Sequence, residues 1–502
     1  MSAQLVISQK LAARRPQISL RSLVQRSYLA PLTLTVGLFL VHVFAGTSTT
    51  LGQRLLGATL GIPAIWLIWS YLQKKSLNRL PIPEYAFFQV YLYWGMATIS
   101  GSIENSRFAV SSQGVSAALV ACVLFTAAAL STVKIGLIFG AWLRRKFLKI
   151  YPKNLPIGVS VFIPLWLFLA VIMSAGFGRL LPGLIRNTFN VVFSPLAVLA
   201  FFAIGIKSRR YLYLAAAMLS LAAMMTGMLG EVFAPIVAAA ALDYLSTRRF
   251  PLKQIVIVLL LYTILTPAKY IFREMYWKKG WDSTRWEETV DNIMVTPSEA
   301  IDGWWTGLTD AWLTSDDKED NSKKSLDRFN ELTSIARTLD YAGKVVPFDH
   351  GHNWGLMFYS LVPRFIDPNK PNFTHVYNDR FNIAFGMQTT SGTKTSTSSY
   401  PIVSQAYWGF GWRGVLFMGL LVGAIWGLLA QFWHAQHWTM AWIGMAIFAD
   451  FRATSHIFGL VGALPQILAG VWFASVALFV VAKLFSLNVS GAYSKSMARA
   501  RQ

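Results

Sequence analysis

Twelve mostly apolar stretches, most of them close to 20 residues long, dominate this chain. A helix needs roughly 20 such residues to cross a ~30 Å hydrocarbon layer, where every backbone N–H and C=O must be satisfied within the segment. The stretches lie at about 30–47, 55–72, 84–101, 113–141, 155–177, 188–206, 211–227, 229–246, 254–271, 413–432, 438–451 and 456–482. The eleventh is the weakest, short and ending at Asp450, and the seventh and eighth share a short turn around Met228 to Gly230. Only 14% of the 502 residues are charged, against roughly 25% in a soluble domain. That excludes a water-soluble enzyme of this size and a disordered chain. The pattern predicts an all-α polytopic integral membrane protein of about 12 transmembrane helices, with one long external loop containing short helices. The expected layout is a basic tail (1–29), a nine-helix bundle (30–271), the loop (272–412), three last helices (413–482) and a second basic tail (483–502). The lone cysteine, Cys122, lies in an apolar run and is expected to pack there; one thiol makes no intrachain disulfide.

A net charge of +22 would ordinarily point toward nucleic acid, but the charges are in the wrong place for it. On one side of the expected spans stand 24 of the 45 Lys and Arg, while the short loops on the other side hold five: Arg54, Arg107, Arg179, Arg186 and Arg452. The remaining 16 fall in the long 269–413 segment, beside 18 of the 23 acidic residues, which lie between Glu274 and Asp379. The surplus positive charge therefore belongs to the rims facing the cytoplasm, where it meets anionic lipid. The expectation is a plasma-membrane protein with both termini cytoplasmic, an uncleaved signal anchor at its first span, and no nucleic-acid partner. Val43-Phe44-Ala45 is a poor cleavage site.

About 140 residues between the ninth and tenth spans face the other side, and loops of that length are usually functional. Residues 269–288 mix aromatic and charged side chains suited to an interface. The run TSDDKEDNSKK at 314–324 lacks the glycine and terminal Glu of a calcium loop and reads as a linker. Residues 325–346 read as an amphipathic helix, with Leu326, Phe329, Leu332, Ile335, Ala336 and Leu339 at helical spacing and Gly343 as its C-cap. Arg328 and Arg337 are nine residues apart, two and a half turns, so they do not share one face. At 350–371 an apolar centre too short to span is stopped by Pro363, and Arg364 then precedes the rigid Asp367-Pro368-Asn369-Lys370-Pro371 turn. Residues 388–400 are rich in hydroxyl groups.

Three stretches carry a resemblance: the Arg-bearing helix Arg328 to Arg337 leading through Gly351, the run from Leu361 to Pro371, and the run Ser404 to Gly414 before the next span. They resemble the bacterial oligosaccharide repeat-unit polymerases, the O-antigen polymerase (Wzy-like) family. Gln405 stands where that pattern commonly has an acid, and Gly409 where it has Asn. The resemblance implies a polymerase on the periplasmic face of the inner membrane that moves an undecaprenyl-diphosphate-linked glycan onto a lipid-linked repeat unit. It implies no cofactor and no metal, with a flippase and a chain-length regulator as further partners.

Such a transfer builds negative charge on the departing diphosphate, which placed guanidinium groups stabilise. The expected clamp is Arg364 with Arg337 or Arg328, joined by Arg273 and Lys370; for each of these the alternative is a loop ion pair with a neighbouring acid. An acceptor hydroxyl needs a base or an aligning group, and His350 and His352, flanking Gly351, are the candidates, with Asp349 as a second choice. Alternation in an extended segment puts both histidines on one side; as metal ligands they lack a clear third partner. Three charges fall within or at the ends of spans: Glu231 at the turn between spans seven and eight, and Asp450 with Arg452, two apart, at the end of span eleven. Arg413 reads as an interfacial anchor. An O-antigen ligase-type transferase, a lipid-linked oligosaccharide flippase and a non-catalytic scaffold stand as rival readings.

Overall fold

A computed structural model of the chain describes residues 28–45, 47, 49–73, 79–103, 109–150, 163–175, 194–203, 208–227, 229–247, 252–276, 295–314, 330–352, 354–355, 373–390, 401–434, 437, 440–441, 443–445 and 447–448. These residues are overwhelmingly helical, and among them no strand occurs beyond an isolated bridge between Ala342 and Val346. The helices are α1 (Leu29–Phe44), α2 (Leu51–Thr59), α3 (Gly61–Gln73), α4 (Ile82–Val90), α5 (Ser112–Ile150), α6 (Ile163–Ser174), α7 (Pro195–Phe201), α8 (Arg209–Met224), α9 (Leu229–Thr247), α10 (Leu252–Tyr276), α11 (Pro297–Thr309), α12 (Leu332–Tyr341), α13 (Phe373–Ala384) and α14 (Ile402–Ala430).

Each of the first ten expected spans contains helix among its described residues, but length varies. Among the described residues, Leu51–Gln73, Ser112–Lys149, Val256–Arg273 and Ile402–Ala430 are long and apolar enough to cross a membrane, while Leu29–Phe44 and Pro164–Ser174 are apolar but shorter. The third expected span is not one regular helix: α4 passes into a π-turn at Tyr91–Gly95 and a 3-10 turn at Met96–Thr98. The 456–482 span lies outside the described residues, and 438–451 is described only in part.

The spine is the pair α5 and α14, which run parallel with their backbones almost touching. A Cβ on Gly423 would lie 2.0 Å from the Ala129 carbonyl oxygen, one on Gly427 2.2 Å from that of Val133, and one on Gly136 1.9 Å from that of Ala424. Thr132 Oγ1 donates across the seam to the Leu420 carbonyl at 2.6 Å. In an apolar solvent such contact replaces the hydrophobic drive that lipid removes, so small residues at every fourth position favour association. Trp426, Phe125, Phe87 and Trp94 pack edge to face around the seam, and Cys122 is buried beside them as expected.

At the end of this spine where α5 begins sits α12. Its buried stripe of Leu332, Ile335, Ala336 and Leu339 matches the spacing read from the sequence, although the described helix covers only the later part of 325–346. Asp340 fastens it down: its carboxylate accepts from Ser111 N (3.1 Å) and Ser111 Oγ (2.9 Å), at the first turn of α5, where the helix dipole favours an anion. A second group forms where α10 meets α11, around Phe272, Ala268, Trp304 and the α9 residues Leu229 and Phe233.

Candidate functional site

Helix α14 is not straight. Phe410 (φ −145°, ψ 21°) and Gly411 (φ 60°, ψ −146°) leave helical geometry and divide it into 402–409 and 412–430. Gly411 occupies a region that a Cβ all but forbids, so glycine is required for the break. The expected tenth span began at 413, and the break falls just before it.

The chain after α12 is strapped across this break. Gly343, with φ 79°, turns the chain just past the end of α12. Asp349 N then donates to the Trp408 carbonyl at 2.9 Å, and Trp408 Nε1 donates back to the Pro347 carbonyl at 2.9 Å. The Asp349 carboxylate, only 1% exposed, lies 2.9 Å from Arg380 Nη2 of α13, whose guanidinium covers the Trp408 ring. Beyond this anchor the backbone enters the left-handed region twice in succession, at His350 (φ 49°) and Gly351 (φ 79°). A non-glycine residue held there stores strain, which concentrates at functional positions. Gly351 has no room for a side chain, since a Cβ would come 2.3 Å from Phe410 Cζ. Trp354 packs edge-on against Phe410 and tilts over Phe417.

Strap and break together enclose an open pocket of about 460 Å³, lined by Phe348, His350, Gly409, Phe410, Gly411, Arg413, Gly414 and Phe417. His350 and Arg413 are both exposed, and among the described residues neither makes an ion pair. The 412–430 piece starts at the pocket, so the positive end of its dipole adds to the Arg413 charge. Phe410 and Phe417, both exposed, form an aromatic lip beside these polar groups. Such a site suits a ligand with an anionic head and an apolar tail.

The sequence-derived candidates fall in different places. His350 lines the pocket. His352 does not: the left-handed pair His350-Gly351 turns the chain, so the alternation expected of an extended segment is lost, and His352 N donates to the Asp349 carbonyl at 3.1 Å. Asp349 is committed to Arg380 as an anchor. Arg337 serves as a clip: Nε donates to the Phe385 carbonyl (2.5 Å), Nη1 to that of Ala109 (3.2 Å), and its guanidinium covers Tyr341. Arg273 sits in the other group of helices, where Nε donates to the Gly227 carbonyl at 3.1 Å in the turn after α8. The structure thus does not gather Arg273 and Arg337 on the pocket. Glu231 is exposed near the start of α9 and accepts from Thr226 Oγ1 at 3.3 Å. Arg328, Arg364, Lys370, Asp450 and Arg452 lie outside the described residues.

Two features escaped the sequence reading. Arg413 was expected to be an anchor, and it lines the pocket; the signal was its place in Gly409-Phe410-Gly411-Trp412-Arg413-Gly414, three glycines around one cation at a span's mouth. Glu331, at the N-cap of α12, is half-buried, and burial pushes its carboxyl up to about 8. Comparison with protein-family models, curated proteins and solved structures returned no match.

Proposed function

We propose that the protein is a membrane-embedded glycan transferase that takes its donor from a polyprenyl diphosphate, with the pocket at the α14 break as the diphosphate site. One observation carries this reading: a free arginine and a strained histidine share an open pocket with an exposed aromatic lip on a helix apolar enough to cross a membrane. In this reading an acceptor hydroxyl attacks the anomeric carbon of the donor sugar. The bond from that carbon to the diphosphate oxygen breaks, the lipid diphosphate leaves with the electron pair, and His350 takes the hydroxyl proton. Arg413 and the dipole of the 412–430 piece stabilise charge growing on the leaving group. The resemblance of the 361–371 and 404–414 runs to the oligosaccharide polymerases supports the polymerase form, with growing chain as donor and lipid-linked repeat unit as acceptor; Arg364 and Lys370 would join the clamp.

The test is turnover of a synthetic polyprenyl-diphosphate oligosaccharide by purified protein in liposomes. Replacing Arg413 by Gln should slow transfer about 100-fold, the cost of removing one preorganised oxyanion partner, with insertion and yield unchanged. His350→Ala should lower the rate further at neutral pH, and Arg364→Gln should abolish long chains. Wild-type rates in all three variants would sink the proposal. The broken helix also suits a carrier of lipid-linked glycan, since transporters use interrupted helices at their sites. Movement of intact substrate across the bilayer without a new glycosidic bond would decide for the carrier.

A further inference from the structure

The segment Pro297–Thr314 was expected in the external loop, yet it lies antiparallel along α10. The register is set by three contacts. Tyr276 Oη donates to the Glu299 carbonyl (2.8 Å), the Phe272 ring stacks on Trp304, and Trp312 Nε1 donates to the Ile264 carbonyl (3.0 Å). The backbones close up where Gly303 and Gly307 face α10: a Cβ on Gly307 would lie 2.7 Å from the Ala268 carbonyl oxygen. The helix starts with a capping box at Thr296 and Glu299, beside the end of α10, and closes with a π-turn at Asp310–Thr314. Trp304 Nε1 also donates to the Met224 carbonyl at the end of α8, so the element is wedged between two helix ends.

The depth follows from this register. Val256–Arg273 is the apolar span of α10. Ile264 lies nine residues inward from Arg273, about 13 Å at 1.5 Å per residue, close to the middle of a ~30 Å hydrocarbon layer. Trp312 is tied to that level. The side of the element turned away from α10 is apolar and bare: Ile301 is 69% exposed, Trp305 68% and Leu313 78%. Leu260, Leu261 and Ile264 of α10 are exposed as well. The acids follow the same order: Glu299 and Asp302 sit at the outer end, whereas Asp310, deeper, is half-buried and partnered within the protein.

The next described helix is back on the starting side. Asp340 of α12 binds the first turn of α5, and four of the five basic residues of α5 (Arg144, Arg145, Lys146, Lys149) stand toward its other end. The basic residues of α8 likewise stand at its beginning (Arg209, Arg210), whereas α10 carries Lys253 at its start and Lys269 and Arg273 toward its end. By charge the end of α8 and the start of α5 therefore share a face, and the end of α10 lies beside the end of α8, where Arg273 Nε donates to the Gly227 carbonyl.

We infer that Pro297–Thr314 is a re-entrant membrane element whose partner is the acyl-chain layer of the leaflet nearest the end of α10. It enters beside Tyr276, reaches mid-bilayer at Trp312 and Leu313, and leaves without crossing. Cys122 is the only cysteine, so its replacement by Ala gives a background for single labels at Ser298, Ile301, Trp305 and Leu313, with Ile264→Cys as the depth standard. The full chain is spin-labelled in phosphatidylcholine–phosphatidylglycerol liposomes and read by collision with oxygen and with a water-soluble nickel chelate. Depth should rise from Ser298 through Ile301 and Trp305 to Leu313, whose label should match Ile264 within about one helical turn, ~5 Å. A water-accessible Leu313 label beside an apolar Ile264 label would overturn the inference. Should Leu313→Cys fail to accumulate, the step from Ile301 to Trp305 decides, and equal aqueous exposure at both overturns it. An impermeant maleimide should label Ser298→Cys and Val345→Cys from the same face of oriented vesicles; labelling from opposite faces would mean a full crossing and also overturns it.

Discussion

Helices α5 and α14 share a seam, a direction and an apolar surface, yet α5 runs for 39 residues without a break while α14 breaks after eight. Both are rich in small residues where they touch, so packing does not distinguish them. The difference lies at their N-terminal ends. The first turn of α5 is closed by Ser111, whose Oγ accepts from Gly114 N (2.8 Å), and by Asp340. The corresponding part of α14 carries Gly-Phe-Gly, and its backbone departs from the helix under the 343–355 strap. A well-capped end makes a rod; a glycine-framed end makes a pocket. The same membrane seam thus supports a structural helix and a candidate site.

The comparison breaks most readily at the seam. Gly423→Val puts side-chain atoms into the Ala129 carbonyl, where only backbone could yield, and should cost roughly 3 kcal/mol, at the upper end of overpacking. The check is the unfolding midpoint of the detergent-solubilised protein; an unchanged midpoint would mean the seam is looser than described. At the break, no side chain crowds Gly411, so Gly411→Ala tests backbone conformation alone. It should cost about 1–3 kcal/mol and straighten α14, reducing transfer while Gly423 contacts persist; unaltered stability and turnover would show that the break needs no glycine. The third test concerns Glu331, on the helix that docks on both α5 and α14. Its carboxyl is raised from an ordinary 4.5 to about 8 by burial, so the folded state holds a proton that the unfolded chain releases. Stability from this group is full below about pH 4.5 and declines as pH rises toward 8. Glu331→Gln should flatten a pH 5–9 melting series, and an identical slope in both proteins would remove the assignment.

Much of the fold was legible because apolar length and helical spacing are local properties. The stripe Leu332, Ile335, Ala336, Leu339 faces the core as its spacing requires, and helix occurs within each of the first ten apolar stretches among the described residues. The α14 break was not legible, since Gly-Phe-Gly is also tolerated within a straight helix and only the strap from α12 makes the bend favourable. The histidine pair was misread because alternation assumes extended backbone, and two successive left-handed residues cancel it. Pro297–Thr314 reads as loop because Glu299, Asp302 and Asp310 lower its local apolarity, and its packing was not legible because Trp304 and Trp312 find their acceptors on helices distant in sequence. Arginine roles were the hardest to assign: whether a guanidinium serves carbonyls, as Arg337 does, or opens onto a pocket, as Arg413 does, depends on contacts distant in sequence.

The glycine seam has one mechanical consequence. Side chains that interdigitate can re-pack in small steps, but backbones in direct contact have no slack to share. Below residue 412, α5 and α14 must therefore move as a single lever. Any displacement of the 402–409 piece relative to that lever is then taken up at residues 410 and 411, the two that leave helical geometry.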